Sequence, residues 1–163
     1  MKIAYFAGGC FWCIAALLDT IEGVLKIVSG YSGGDEINPT YEEVKAQKTG
    51  HRESIKVIYD ENKTSYEKIL EMFLNNIDPF DDGGQFIDRG HSYTTAIYYC
   101  NEQELNAAKL AINKIEKENN KKTAVAIEPF KSFYEDEEYH QDFNLKNPDK
   151  IKKEFEESGR TKN

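Results

Sequence analysis

Two cysteines three residues apart, in Cys10-Phe11-Trp12-Cys13, stand directly behind two glycines near the start of the chain. An apolar run, Ile3-Ala4-Tyr5-Phe6-Ala7, leads in, and a helix-compatible run, Ile14-Ala15-Ala16-Leu17-Leu18, leads out. This pattern predicts a strand, a tight Gly8-Gly9 turn and the first turn of a helix, the glycines being free to take positive φ. Cys10 then occupies a helix N-terminus, where unpaired N–H groups and the helix dipole favour a thiolate over a thiol. Such a sulfur is a nucleophile. The competing reading of the same residues is a small buried cysteine beside two core aromatics; the Gly-Gly turn and the second cysteine weigh against it. Two other places can supply acids. Glu53, in Gly50-His51-Arg52-Glu53, opens a strand, and a long loop over 78–92 presents Asp88 and ends at Tyr93.

The elements that must position these groups follow from periodicity. Strands are predicted at 3–7, 24–31, 53–59, 93–99 and 124–127. Helices are predicted at about 11–20, at 39–44 with Thr40 and Glu43 as a capping box, at about 64–75 behind Thr64 or Ser65, and at 102–119. The loop over 78–92 is too rich in aromatics and turn residues to be disordered. The stretch after Ile127 reads as an aromatic, acidic coil in which Glu135 to Glu138 form a solvated face. The order of elements matches the split βαβ pattern. We therefore expect an α+β fold: a ferredoxin-like two-layer sandwich with a mixed sheet and a long C-terminal coil segment, in a single domain over 1–163.

Composition narrows the function classes. A length of 163 residues suffices for a real core, and 39% hydrophobic with 31% charged residues indicates a globular chain. The net charge of -8 argues against nucleic acid or an anionic membrane as partner. No apolar run is long enough to span a bilayer, and the N-terminus lacks the form of a signal peptide. Three cysteines do not make a secreted disulfide scaffold. A cytoplasmic protein is expected, with a monomer as the default.

Several motifs occur together in one order: Gly9-Cys10-Phe11-Trp12, Gly30-Tyr31-Ser32-Gly33-Gly34, Asn38-Pro39-Thr40-Tyr41, Thr49-Gly50-His51-Arg52-Glu53 and Tyr139-His140-Gln141. Through them the chain resembles the A-type peptide methionine sulfoxide reductases over about residues 2–148. The resemblance implies reduction of methionine S-sulfoxide, free or in proteins, with thioredoxin as reductant and no cofactor or metal. It implies Cys10 as nucleophile, Phe11 and Trp12 as the pocket for the substrate methyl, and Glu53 as general acid. Tyr41 and Tyr93 correspond to phenols that hydrogen-bond the sulfoxide oxygen, and Asp88 to the carboxylate that orients water or substrate. His51 and His140 are expected to be structural hydrogen-bonders.

The chain also departs from the family pattern. Cys13 and Ala15 stand where Gly and Glu are common, the loop Gly83-Gly84-Gln85-Phe86-Ile87-Asp88 differs from the usual form, and the C-terminal segment has no cysteine. Cys13 is therefore the expected resolving cysteine, three residues from Cys10 on a first helical turn. Cys100 is expected some 20 Å away, at the far end of its strand. Direct attack of an external thiol on an oxidised Cys10 is the alternative regeneration route. Two other functions remain open at this point: a general C-x-x-C thiol–disulfide oxidoreductase, and a metal site using Cys10, Cys13, His51 and His140.

Overall fold

A computed structural model of the protein describes residues 1–137. Its strands are β1 (Lys2–Gly8), β2 (Val24–Ser32), β3 (Arg52–Tyr59), β4 (Gly84–Gln85), β5 (Asp88–Arg89), β6 (Thr95–Tyr99), β7 (Ala126–Pro129) and β8 (Phe133–Glu135). Its helices are α1 (Phe11–Leu18), α2 (Tyr41–Lys45), α3 (Tyr66–Asn75) and α4 (Glu102–Asn119), with a 3-10 turn at His91–Tyr93. Six strands form one sheet in the order β7-β6-β1-β3-β2-β8, and β4 and β5 pair separately as a small hairpin. All neighbours in the large sheet are antiparallel except β6 and β7, so the sheet is mixed and the fold is α+β.

The helices cover one face because each presents an apolar stripe at helical spacing. Ile14 and Leu18 of α1, Ile69 and Phe73 of α3, and Ala108 and Ile112 of α4 meet Phe6, Ile55, Val57 and Ile97 of the sheet in one core. The helix starts are legible in chemical terms. Thr40 and Glu43 form a reciprocal capping box on α2, the Ser65 hydroxyl accepts from Lys68 N–H, and the Asn101 side chain accepts from Glu104 N–H. On the opposite face a smaller cluster of Ala7, Ala96 and Tyr98 lies under Tyr5 and Phe130.

The sheet register brings chemistry to one end. β1 pairs antiparallel with β6 from Tyr5↔Tyr98 to Gly8↔Thr95, and β2 with β3 through Tyr31↔Glu53. The exits of β1 and β2 therefore lie beside the entries of β3 and β6. Gly9 makes the exit of β1 possible with φ +87, a left-handed conformation that side chains resist.

Four expectations are corrected. The segment 78–92 is not a structureless loop: it holds the β4–β5 hairpin, because Arg89 forks onto Asp81 at 2.6 and 2.7 Å and Gln85 pairs with both backbone groups of Asp78. Tyr93 does not open a strand; it closes the 3-10 turn, and β6 begins at Thr95. The last short strand runs Ala126–Pro129 rather than 124–127. The described part of the expected C-terminal coil contains β8, which pairs with the edge of β2. There Gly30 lets the two backbones approach, since a Cβ on it would lie 2.3 Å from the Tyr134 carbonyl oxygen. Tyr139-His140-Gln141 and the rest of the coil lie outside the described residues.

Candidate active site

Cys10 is the N-cap residue of α1, and its carbonyl accepts from the N–H groups of Cys13 and Ile14 at 3.1 and 3.2 Å. It is buried, with 8% of its surface exposed. The first N–H of the helix does not go to a side chain of the cap. Phe11 N–H donates to Glu53 Oε1 at 3.2 Å instead, so the acid is tied to the residue that follows the cysteine. Glu53 is 2% exposed. Burial, first, and then the charges of Cys10, Asp88 and Asp136 raise its pKa well above the ordinary carboxylate range, while the Phe11 hydrogen bond pulls the other way. A carboxyl that keeps its proton near neutrality can give it away.

Two phenols face the same group. Burial first and Glu53 second push the pKa of Tyr41 upward, with Cys10 acting in the same sense. Tyr93 is raised by burial, then by Glu53, Tyr41, Asp88 and Cys10. Both stay protonated hydrogen-bond donors throughout the accessible pH range. Tyr41 opens α2, and Tyr93 is held by its turn, which Gln47 grips through Ser92: Gln47 Oε1 accepts from Ser92 N–H at 3.0 Å and Gln47 Nε2 donates to Ser92 Oγ at 2.8 Å. The β4–β5 hairpin sets Asp88 opposite Gln85.

An aromatic wall lies beside the cysteine. The Phe11 ring is 5.3 Å from Trp12, 5.9 Å from Tyr31 and 6.4 Å from Tyr41, and Trp12 stacks on Tyr41 at 6.0 Å. Phe11 is buried and Trp12 half-buried, which leaves an apolar lip next to a polar centre.

The structure thus brings Cys10, Phe11, Trp12, Tyr41, Glu53, Asp88 and Tyr93 to one end of the sheet. Cys13 is buried on the first turn of α1. Cys100 follows the opposite end of β6, about 16 Å of strand away. His51 is fully buried and structural: Nδ1 accepts from Gly34 N–H at 3.2 Å and Nε2 donates to the Glu36 carbonyl at 2.8 Å. Both nitrogens are engaged, so it does not serve the metal site considered above, and His140 lies outside the described residues. Among the described residues no cluster of three metal-ligating side chains occurs.

Sequence reasoning missed Gln47, Tyr31 and the acidic pair Asp136 and Glu137. Asp136 corrects the expected solvated face over Glu135 to Glu138: it is 5% exposed and accepts from the Tyr31 hydroxyl. Glu137 accepts from Tyr41 N–H at 3.1 Å. Their partners are about a hundred residues away, so no local pattern could reveal them.

A buried cysteine at a helix start, beside a buried carboxyl of raised pKa and two phenolic donors, has the make-up of a thiol-based redox centre. Comparison with known proteins narrows that class. The family model of peptide methionine sulfoxide reductase matches residues 2–163. Peptide methionine sulfoxide reductase MsrA of Bacillus licheniformis is 45% identical over 151 residues, covering 91% of this chain and 83% of that protein. The same-named protein of Bacillus velezensis is 47% identical over 150 residues, covering 91% and 85%. Among solved structures, reduced Mxr1 from Saccharomyces cerevisiae superposes with a TM-score of 0.84 at 27% identity, covering 91% of this chain and 86% of that one. The chain belongs to the peptide methionine sulfoxide reductase family.

Proposed function

We propose that this chain is a peptide-methionine (S)-S-oxide reductase in which Cys10 is the nucleophile and Glu53 the acid. It carries out thiol-dependent reduction of methionine sulfoxide. The observation that carries the division of roles is the link from Phe11 N–H to the buried Glu53, which ties a protonated carboxyl to the cysteine-bearing turn.

Cys10 Sγ attacks the sulfoxide sulfur. The oxygen takes a proton from Glu53 while the Tyr41 and Tyr93 hydroxyls donate hydrogen bonds to it, stabilising the charge that develops there. Phe11 and Trp12 hold the methyl group, and Asp88 orients water or the substrate's polar end. Transfer of the oxygen to Cys10 releases methionine and leaves a sulfenic acid on the enzyme. The Cys13 thiol then displaces that oxygen as water, forming a Cys10–Cys13 disulfide. An external dithiol of the thioredoxin type returns both sulfurs to thiols. No metal or cofactor is needed, because every electron comes from thiols.

We further read the four strands β6-β1-β3-β2, with α1 and α3 as crossovers, as a ferredoxin-like split βαβ core carrying edge additions, and the whole of 1–163 as one domain. A monomer acting in the cytoplasm fits the cysteine usage and the negative charge; among the described residues no helix is long and apolar enough to cross a membrane. The decisive experiment is turnover of separated S and R methionine sulfoxide with dithiothreitol or thioredoxin. Reduction of the S epimer alone is expected. Turnover of R, or of neither, overturns the reading. Disulfide mapping after one equivalent of substrate without reductant is expected to find the Cys10–Cys13 bridge; a Cys10–Cys100 bridge, or a persistent sulfenic acid beside a free Cys13, removes Cys13 from its role.

A further inference from the structure

The catalytic scheme leaves one buried carboxylate at the site without a task. Asp136 follows β8, and its N–H donates to the Ser29 carbonyl at 2.9 Å, which fixes its backbone against β2. Its Oδ1 accepts from the hydroxyl of Tyr31. Tyr31 has no exposed surface, lies directly opposite Glu53 across the β2–β3 pair, and packs its ring 5.9 Å from Phe11. Directly opposed residues of an antiparallel pair share a face of the sheet. Asp136, Tyr31 and Glu53 therefore form one buried row that ends at the cysteine-bearing turn.

We propose that Asp136 is a positioning residue for the sulfoxide reduction: from the end of β8 it holds Tyr31 behind Phe11 and places its carboxylate on the buried row that leads to Glu53. The inference rests on the sulfoxide-reductase reading above. Tyr31 is a permanent donor, since burial and then Asp136 raise its phenol far beyond reach of solution pH. It can only donate to Asp136, which favours the ionised acceptor. The groups that act on Glu53 are Cys10 before α1, Asp88 on β5 and Asp136 after β8. The phenols Tyr31, Tyr41 and Tyr93 face it from β2, α2 and the 3-10 turn, and Glu137 faces Tyr31. Asp136 is held by the buried Tyr31 side chain, which also packs against the aromatic wall.

A negative neighbour raises a carboxyl's pKa, so its removal lets Glu53 lose its proton at lower pH. The test is the pH profile of the single-turnover rate with methionine S-sulfoxide in wild type, Asp136→Asn, Asp136→Ser and Glu53→Gln. Wild type is expected to slow on an alkaline limb that Glu53→Gln lacks. In Asp136→Asn, which keeps an acceptor for Tyr31, the limb moves to lower pH, a loss of rate on the limb itself with the plateau kept. Asp136→Ser moves it likewise and also lowers the plateau. Limbs that coincide with wild type in both folded variants overturn the inference, as does a lowered plateau with no shift, which would mean packing alone. Failure of both variants to fold by circular dichroism assigns Asp136 to the fold and equally overturns it. An active wild type with unmoved variants breaks this inference alone, whereas a wild type that reduces nothing breaks the functional reading as well.

Discussion

The molecule contains two clusters built from the same kinds of residue. At one end of the sheet Cys10 and Glu53 lie among Tyr31, Tyr41 and Tyr93; at the other, Cys100 and Glu104 lie among Tyr5, Tyr59 and Tyr66. In both, a buried glutamate accepts a backbone N–H at or next to the cysteine: from Phe11 in the first, from Cys100 itself at 2.9 Å in the second. In both, burial lifts the glutamate above the ordinary carboxylate range. Only the first has the form of an active site, and the difference lies in how each helix is started. α4 caps itself, with Asn101 accepting from Glu104 N–H at 2.9 Å and Glu104 reaching back past it, so Cys100 is outside the helix and exposed. The partial desolvation that its exposed position still leaves, and then the Glu104 charge, push its thiol up to about 11, which keeps it protonated at neutral pH. α1 has no side-chain cap; its cap position is the cysteine, and the acceptor for its first N–H comes from another strand. The same residue types thus make a helix start in one place and a candidate active site in the other.

The comparison breaks most sharply at the sulfurs. Cys10→Ser is expected to lower turnover of methionine S-sulfoxide by about 10⁴-fold or more, as loss of a nucleophile does. Cys100→Ser should leave turnover within about twofold, since its thiol is not ionised. A steady-state assay of both variants decides this, and a Cys10→Ser protein with a tenth of wild-type activity would end the distinction.

The glutamates separate next. Glu53→Gln should slow the single-turnover step by about 10² to 10⁴-fold. It should also make the protein more stable at neutral pH, read as a higher Tm than wild type. A carboxyl whose folded pKa is raised favours folding while protonated. That advantage is complete below its unfolded value and is lost as pH rises through the folded one. The gap between variant and wild type in denaturant melts should therefore widen from pH 4 to 8. Opposite signs in activity and stability mark a group retained for chemistry.

Smaller effects sharpen the contrast. Cys13→Ser should still release one methionine per protein in a single turnover, but lose about tenfold in steady state with a thioredoxin-type reductant, while a trappable sulfenic acid accumulates on Cys10. Asn101→Ala should cost about 1 kcal/mol in chemical denaturation through loss of the α4 cap, and leave the reduction rate unchanged.

Much of this architecture was legible in the residues. α4 spans Glu102–Asn119 as its period predicts, because a long amphipathic stripe behind an Asn cap is a local signal. Cys10 at a strand–helix turn is local too. Glu53, Tyr41, Tyr93 and Asp88 carried no such mark singly and were recognisable only through their order along the chain. What escaped was specified across the fold. Tyr93 closes a 3-10 turn because Gln47 grips the residue before it, and β8 is three residues long, too short for any pattern, so its place depends on the β2 edge. Asp136 reads as one more charge in an acidic run until Tyr31 is seen beneath it.

Because β8 pairs with β2, residues far apart in the order of synthesis come together beside the site. Cys10, Tyr31, Tyr41 and Glu53 leave the ribosome early. At about 5–20 residues per second, some 4 to 17 seconds pass between the emergence of Glu53 and that of Asp136. During that interval the β2 edge at Gly30 to Ser32 has no strand beside it, a surface on which another chain's strand can pair. β8, the last strand among the described residues, thus has two duties at birth: it brings Asp136 to Tyr31, and it shuts an opening through which half-made copies could join.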